Sequence, residues 1–239
     1  MTLEICANSL ASALAAQRGG AQRIELCENL NEGGTTPSYG TIKRVRELLD
    51  IKVYVLIRPR AGDFLYSDEE FAIMKEDITM CKQLGCDGVV IGLLDKEGNI
   101  DTNRTKELVH LADPMGVTFH RAFDCSNDGL KALEEVIDCG CERILTSGMR
   151  NTAIEGASLL KTLIQQAADR ITIMPGSGIN EVNIIELKEI THAKEYHTSA
   201  KTAVKSGMTY QNPAIANMGD AVEISNVERI RRILGLLNS

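Results

Sequence analysis

Hydrophobic and polar positions along the chain fall into two alternating kinds of segment. Short runs dense in apolar residues read as strands: residues 3–6 (LEIC), 23–27 (RIELC), 52–60 (KVYVLIRPR), 86–94 (CDGVVIGLL), 117–124 (VTFHRAFD), 142–148 (ERILTSG), 170–178 (RITIMPGSG) and 193–200 (AKEYHTSA). Longer segments with helical spacing follow them, at 9–18, 39–49, 67–85, 102–112, 127–140, 152–168, 180–191 and 226–237. In the second of these, Ile42, Val45, Leu48 and Leu49 recur at the interval of one helix face. Ser9 and Ser67 stand where N-caps belong, and Gly19 and Gly20 stop the first helix. Residues 201–225 form a polar segment whose pattern assigns neither state.

Eight strand–helix units in succession, joined mostly by short loops, predict an α/β protein with a parallel sheet. At 239 residues the expectation is a single (β/α)8 TIM barrel spanning residues 1–239 rather than an open sheet. No GxGxxG follows the first strand, which lowers the rival dinucleotide-binding fold. The chain is long enough to bury a core without disulfides or metal staples. No charge-free apolar run approaches the ~20 residues of a spanning helix, so no membrane partner is expected. The start MTLEICANS lacks the basic and apolar regions of a signal peptide, which favours a cytoplasmic location and reads the seven cysteines as free thiols. A net charge of −7, 4% aromatic residues and no Trp argue against nucleic acid as a partner.

Barrels of this kind place their chemistry at the carboxyl ends of the strands. Those ends carry Cys6, Cys27, Arg58, Arg60, Gly92, His120, Arg121, Ser147, Gly176 and His197. Glu4, Glu25, Thr118, His120, Glu195 and His197 share the polar parity of their strands, so they are expected to face the barrel interior. Buried carboxylates need partners, and Arg58, Arg60, Arg121 and the two histidines are the candidates. Two readings follow: a structural ion-pair network, or a pocket for an anionic or polar ligand. In the second, His120, His197, Glu25 and Arg58 would be catalytic, through acid–base chemistry of the isomerase or lyase type on a small anionic or phosphorylated metabolite. Arg60, Arg121, Ser147, Gly148, Gly176 and Gly178 would then bind the ligand, the glycines through backbone N–H groups, unless those glycines serve only as turn formers. Cys6 and Cys27, on adjacent strands, are the candidate metal ligands, suited to Cu(I) and, with nitrogen ligands, to Zn²⁺; the other cysteines read as incidental.

The segments EICANS, RIELCENLNEGGTTPS, IRPRAGDFLYS, FHRAFD, ILTSG, MPGSGI and YHTSA, in order from residue 4 to about residue 200, resemble the signature segments of the copper homeostasis protein CutC family. The resemblance implies a TIM barrel, a cytoplasmic location, self-association into a homo-oligomer and a link to copper tolerance. It also implies Cu(I) binding through the two cysteines matching Cys6 and Cys27. PGSG stands where many members have PGGG, and HTSA where others have HCSA or HSSA, so position 198 offers no thiol.

Overall fold

The computed structural model describes residues 1–210, 212, 214 and 221–239. Eight parallel strands form the barrel: β1 (Thr2–Ala7), β2 (Arg23–Leu26), β3 (Lys52–Leu56), β4 (Gly88–Ile91), β5 (Gly116–Phe119), β6 (Arg143–Thr146), β7 (Thr172–Pro175) and β8 (Glu195–Thr198). Around them lie α1 (Leu10–Gly19), α2 (Tyr39–Leu48), α3 (Asp68–Gln83), α4 (Thr102–Ala112), α5 (Gly129–Asp138), α6 (Ala157–Ala167), α7 (Ile184–Thr191) and α8 (Val227–Asn238). Hydrogen-bonded neighbours run β7-β6-β5-β4-β3-β2-β1-β8, with β1 pairing in parallel to both β2 and β8. Closure is incomplete between β7 and β8, where no ladder forms among the described residues. A side-chain bond from Thr198 Oγ1 to the Ile179 carbonyl (2.7 Å) spans the ends of that seam.

Strand parity explains the layering. Leu3, Ile5, Ile24, Leu26, Val53, Val55, Val89, Ile91 and Ile144 belong to one buried apolar cluster with Ile42, Met74, Ile78, Leu108, Leu133 and Leu160 of the helices. Each such side chain contributes about 1.5–3 kcal/mol by leaving water. The opposite parity faces the barrel axis and carries the polar residues. The caps match their sequence signals: Ser9 accepts from the Ser12 N–H, and Ser67 with Glu70 forms a reciprocal capping box.

Several elements differ from the expectation: the seventh helix starts at Ile184 rather than residue 180, and residues 121–124, read as the end of the fifth strand, belong to a 3-10 turn. The sixth helix starts at Ala157 rather than residue 152, because residues 148–156 fold as a loop in which Gly156 lies against the Ser147 carbonyl. Residues 201–225 contain an antiparallel hairpin, β9 (Lys201–Lys205) paired with β10 (Ala221–Ser225). It is held to the barrel by Asn8, which donates to the Glu223 carbonyl (3.0 Å), and by Ser12 Oγ, which accepts from the Ser225 N–H (3.0 Å). The Lys and Ala of KTAVK are weak strand formers, so local pattern alone left it unassigned. The segment between these strands falls largely outside the described residues.

Tyr54 shapes the lower interior. Its ring occupies the space that a Cβ at Gly88 would need, with Cζ 2.5 Å from that position, and its hydroxyl crowds Gly116 in the same way. The Tyr54 hydroxyl donates to Glu142 Oε1 at 2.6 Å. Gly88 has no positive φ to require glycine, so space alone selects it. Replacing Gly88 by Ala should therefore destabilise the fold by roughly 1–3 kcal/mol through overpacking. Gly40→Ala, in helix α2 with no atom within 4 Å of the new methyl, should be neutral or stabilising by up to about 1 kcal/mol. Urea titrations of both variants check the pair. Equal midpoints would show that Tyr54 shifts freely and does not dictate glycine here.

Candidate functional site

The interior polar residues form two connected groups. In the lower one, Arg23 pairs through Nε with Glu4 Oε2 and through Nη2 with Glu195 Oε2 (2.5 Å). Arg143 meets Glu195 at 2.6 Å and donates to Thr118 Oγ1 at 3.1 Å. Both guanidinium carbons lie over the Tyr54 ring, 5.2 and 5.5 Å from its centroid. The carboxylates at the barrel centre are thus neutralised by Arg23 and Arg143, not by Arg58, Arg60 or Arg121 as expected. The parity signal was present: Arg23 stands two residues before Glu25, and Arg143 opens its strand.

Glu4 joins the lower group to the upper one. Burial pushes its carboxyl up, but Arg23, the hydrogen bond from His197 and the nearby Arg143 more than offset this and hold it at about 2. His197 Nδ1 lies 2.7 Å from Glu4 Oε1, and its Nε2 lies 3.6 Å from Glu25 Oε2. Burial lowers the His197 pKa, yet the two carboxylates raise it above the usual value overall. Glu25 is pushed up, chiefly by burial and also by the Glu4 charge. One donor atom each from Cys6, Glu25 and His197 lie within 4.8 Å of one another, all buried. Cys6 Sγ is also 3.6 Å from Cys27 Sγ, and this contact with burial pushes the Cys6 thiol well up.

These residues open into a cavity of ≈ 410 Å³ at the carboxyl end of the barrel, within the ~300–1,000 Å³ range of small-molecule pockets. Arg58 and His120 line it. Arg58 does not reach the carboxylates; Nη1 donates to the carbonyls of Glu32 (2.8 Å) and Gly34 (2.6 Å), and Nη2 to that of Gly62 (2.7 Å). The β2–α2 loop turns through left-handed residues at Asn29, Gly33 and Gly34, which aims those carbonyls inward. His120 Nδ1 accepts the Ala122 N–H at 3.0 Å and so caps the short 3-10 turn Arg121–Cys125. Gly92 makes room for the ring, since a Cβ there would meet His120 and Ala122. His120 and His197 line the same cavity but share no hydrogen bond.

The remaining expected ligand-binding residues divide. Arg121 and Gly178 line the cavity. Arg60 does not; it is half exposed and pairs with Glu70 (2.5 Å) and Asp63 (2.9 Å). Ser147 is withdrawn, its Oγ bonded to Asp124 Oδ2 at 2.9 Å. The three glycines do not present a common row of open N–H groups. The Gly176 N–H donates to the Thr146 carbonyl (3.0 Å) and that of Gly148 to Thr146 Oγ1 (2.9 Å). Gly176 is small because Leu145 and His197 fill the space beside it. Asp124, which the sequence showed only as a charged strand end, organises the β6–α6 loop by accepting from the Ser147 and Met149 N–H groups at 3.0 Å each and from Thr146 Oγ1. Lys201 also reaches the cavity from the hairpin that sequence pattern did not assign.

The fold and site define a class: a parallel (β/α)8 barrel with a buried thiol–carboxylate–imidazole group at the mouth. The CutC family model matches residues 1–202, and the chain belongs to the CutC family. A family protein CutC from Xylella fastidiosa (strain 9a5c) is 48% identical over 236 residues, covering 99% of this chain and 88% of the relative. One from Bacteroides fragilis is 51% identical over 227 residues, covering 95% and 90%. A crystal structure of CutC from Streptococcus agalactiae superimposes with a TM-score of 0.79 at 36% identity, covering 83% of this chain and 98% of that one. No helix among the described residues is long and apolar enough to cross a membrane.

His120 supplies a pH test of the site. Burial, reinforced by the charge of Arg58, lowers its pKa to about 3 from an ordinary 6.5. Because the folded pKa lies below the unfolded one, unfolding takes up a proton between these values. The stability from this source is complete above pH 6.5 and falls as pH drops towards 3. The wild type should lose about 2 kcal/mol from this group between pH 7.5 and pH 5, a component that His120→Gln should lack. Urea unfolding of both proteins at the two pH values checks it; parallel pH slopes would mean that His120 is protonated in the fold.

Proposed function

We propose that this barrel binds a soft metal ion, Cu(I) in the first place, in its mouth, and so serves copper homeostasis as a CutC-family protein. The observation that carries the reading is the convergence of Cys6, Glu25 and His197 donors within 4.8 Å, with Cys27 Sγ 3.6 Å from Cys6 Sγ. The donor set fits such an ion. Thiolate and imidazole select Cu(I) or Zn²⁺ over hard cations. Cys6, Glu25 and His197 would hold the ion, with Cys27 as a second thiol beside Cys6. Glu4 supplies the outer support: an ionised carboxylate holding Nδ1–H of His197 leaves Nε2 as the coordinating nitrogen.

A second reading is kept by the His197–Glu25 pair, whose buried acid and base lie 3.6 Å apart at the cavity. That arrangement suits proton transfer in a small ligand, with His120 and Arg58 as further participants. Turnover of any small anion that disappears in Glu25→Gln and survives metal chelation would favour it.

The reduced protein should bind Cu(I), and the Cys6→Ser, Cys27→Ser double variant should lose that binding; competition with a chromogenic Cu(I) chelator measures both. Equal affinity in the double variant would overturn the site. Because the Cys6 thiol is pushed up, loading must displace its proton, so affinity should rise with pH by about one log unit per pH unit per proton released. Glu4→Gln should weaken binding by roughly 10–100-fold, the usual effect of removing outer support from a ligating histidine.

A further inference from the structure

Two hydrogen-bond donors on residues that line the same cavity as Cys6 have no use in metal binding. Arg58 Nε and His120 Nε2 are both buried and have no hydrogen-bond partner. Their side chains are more than nine-tenths buried, at 4% and 5% exposure, and both line the ≈ 410 Å³ cavity. Both pack on Phe64, with the Arg58 guanidinium carbon 5.2 Å and the His120 ring 5.1 Å from its centroid. The tautomer of His120 follows from geometry: Nδ1 accepts from the Ala122 N–H, so the ring proton of the neutral imidazole sits on Nε2.

Leaving a buried donor unsatisfied costs about 1–3 kcal/mol. Two such donors on residues that line one cavity, one of them on a permanent cation, point to an acceptor that arrives from outside. Charge agrees. Among the described residues no carboxylate forms an ion pair with Arg58, whose contacts are neutral carbonyls. Arg121 and Lys201 add two further cations to the wall; their own partners, Asp124 and Glu223, do not line it. Among the described residues Glu25 is the one carboxylate there, and it faces His197.

We infer that the cavity holds a small organic anion, whose carboxylate or phosphate oxygens accept from Arg58 Nε–H and His120 Nε2–H while its remainder extends towards Cys6 and His197. Arg58 gives three of its five N–H groups to the loops, which leaves Nε–H and one Nη2–H, so the anion is held by Arg58 and by His120 from the ends of different strands. Recognition by a neutral histidine also makes the site independent of imidazolium charge. The inference stands whether or not a metal occupies the neighbouring group.

Calorimetric titrations of the metal-free full chain with inorganic phosphate and with citrate, at matched ionic strength, test this and separate phosphate from carboxylate recognition. At least one probe should bind in the millimolar range or tighter. His120→Leu and Arg58→Lys should each weaken that binding at least about tenfold, the loss of one charge-assisted or buried hydrogen bond. Arg58→Lys removes loop contacts too, so circular dichroism must show it folded; His120→Leu and the ¹⁵N resonance of His120 Nε2, which should shift on titration of the wild type, keep the test decisive if it is not. Binding that is unchanged in His120→Leu, with no shift at Nε2, means an adventitious ion only and overturns the assignment. So does the absence of binding by either probe.

Discussion

The Glu4 carboxylate is the constraint on which the rest of the barrel interior depends. It is 1% exposed and accepts from Arg23 on one side and from His197 on the other. An unpaired buried carboxylate would take a proton or unfold its surroundings; here Arg23 and the hydrogen bond from His197 keep it ionised. Through Arg23 it is tied to Glu195 and Arg143, and through His197 to Glu25 and the thiols. One ionised group therefore sets both the structural layer below and the reactive layer above.

This division of labour gives the two ends of the barrel different characters. Below Glu4, every charge has an opposite partner and Tyr54 fills the remaining space, so that end is a packed interior. Above it, the pairing runs out: Cys6 and Cys27 are reduced thiols, and Arg58 and His120 keep buried donors unmet. Burying unsatisfied groups costs stability; Thr105 Oγ1 and the Tyr196 hydroxyl bear that cost elsewhere, but the orphaned guanidinium and imidazole nitrogens lie at the carboxyl end of the strands. That asymmetry is the physical argument for locating function there, and it does not rely on the fold's general habit.

The loops make the upper layer possible. Arg58 gathers carbonyls from the β2–α2 and β3–α3 loops, and Asp124 gathers N–H groups from the β6–α6 loop. Each is a buried charge spent on backbone groups, and each stiffens a wall of the cavity. Gly33 and Gly34, with φ of 81° and 90°, let the first of these loops turn its carbonyls towards Arg58.

The eight strand–helix units, the caps at Ser9 and Ser67 and the inward parity of Glu4, Glu25, His120 and His197 were legible in the sequence, because periodicity and capping act over a few residues. The adjacency of Cys6 and Cys27 was legible too, since consecutive β/α units place their strands side by side. What tertiary structure decided was pairing. Which arginine meets which carboxylate depends on heights along the barrel axis, and these brought Arg23 and Arg143 to the centre while turning Arg58 to the loops and Arg60 to the surface. Whether a glycine N–H is open depends on its neighbour, and Thr146 took those of Gly148 and Gly176. Gly88, Gly92, Gly116 and Gly176 are small because Tyr54, His120, Leu145 and His197 come from other strands to fill their places, a contact that no local pattern records.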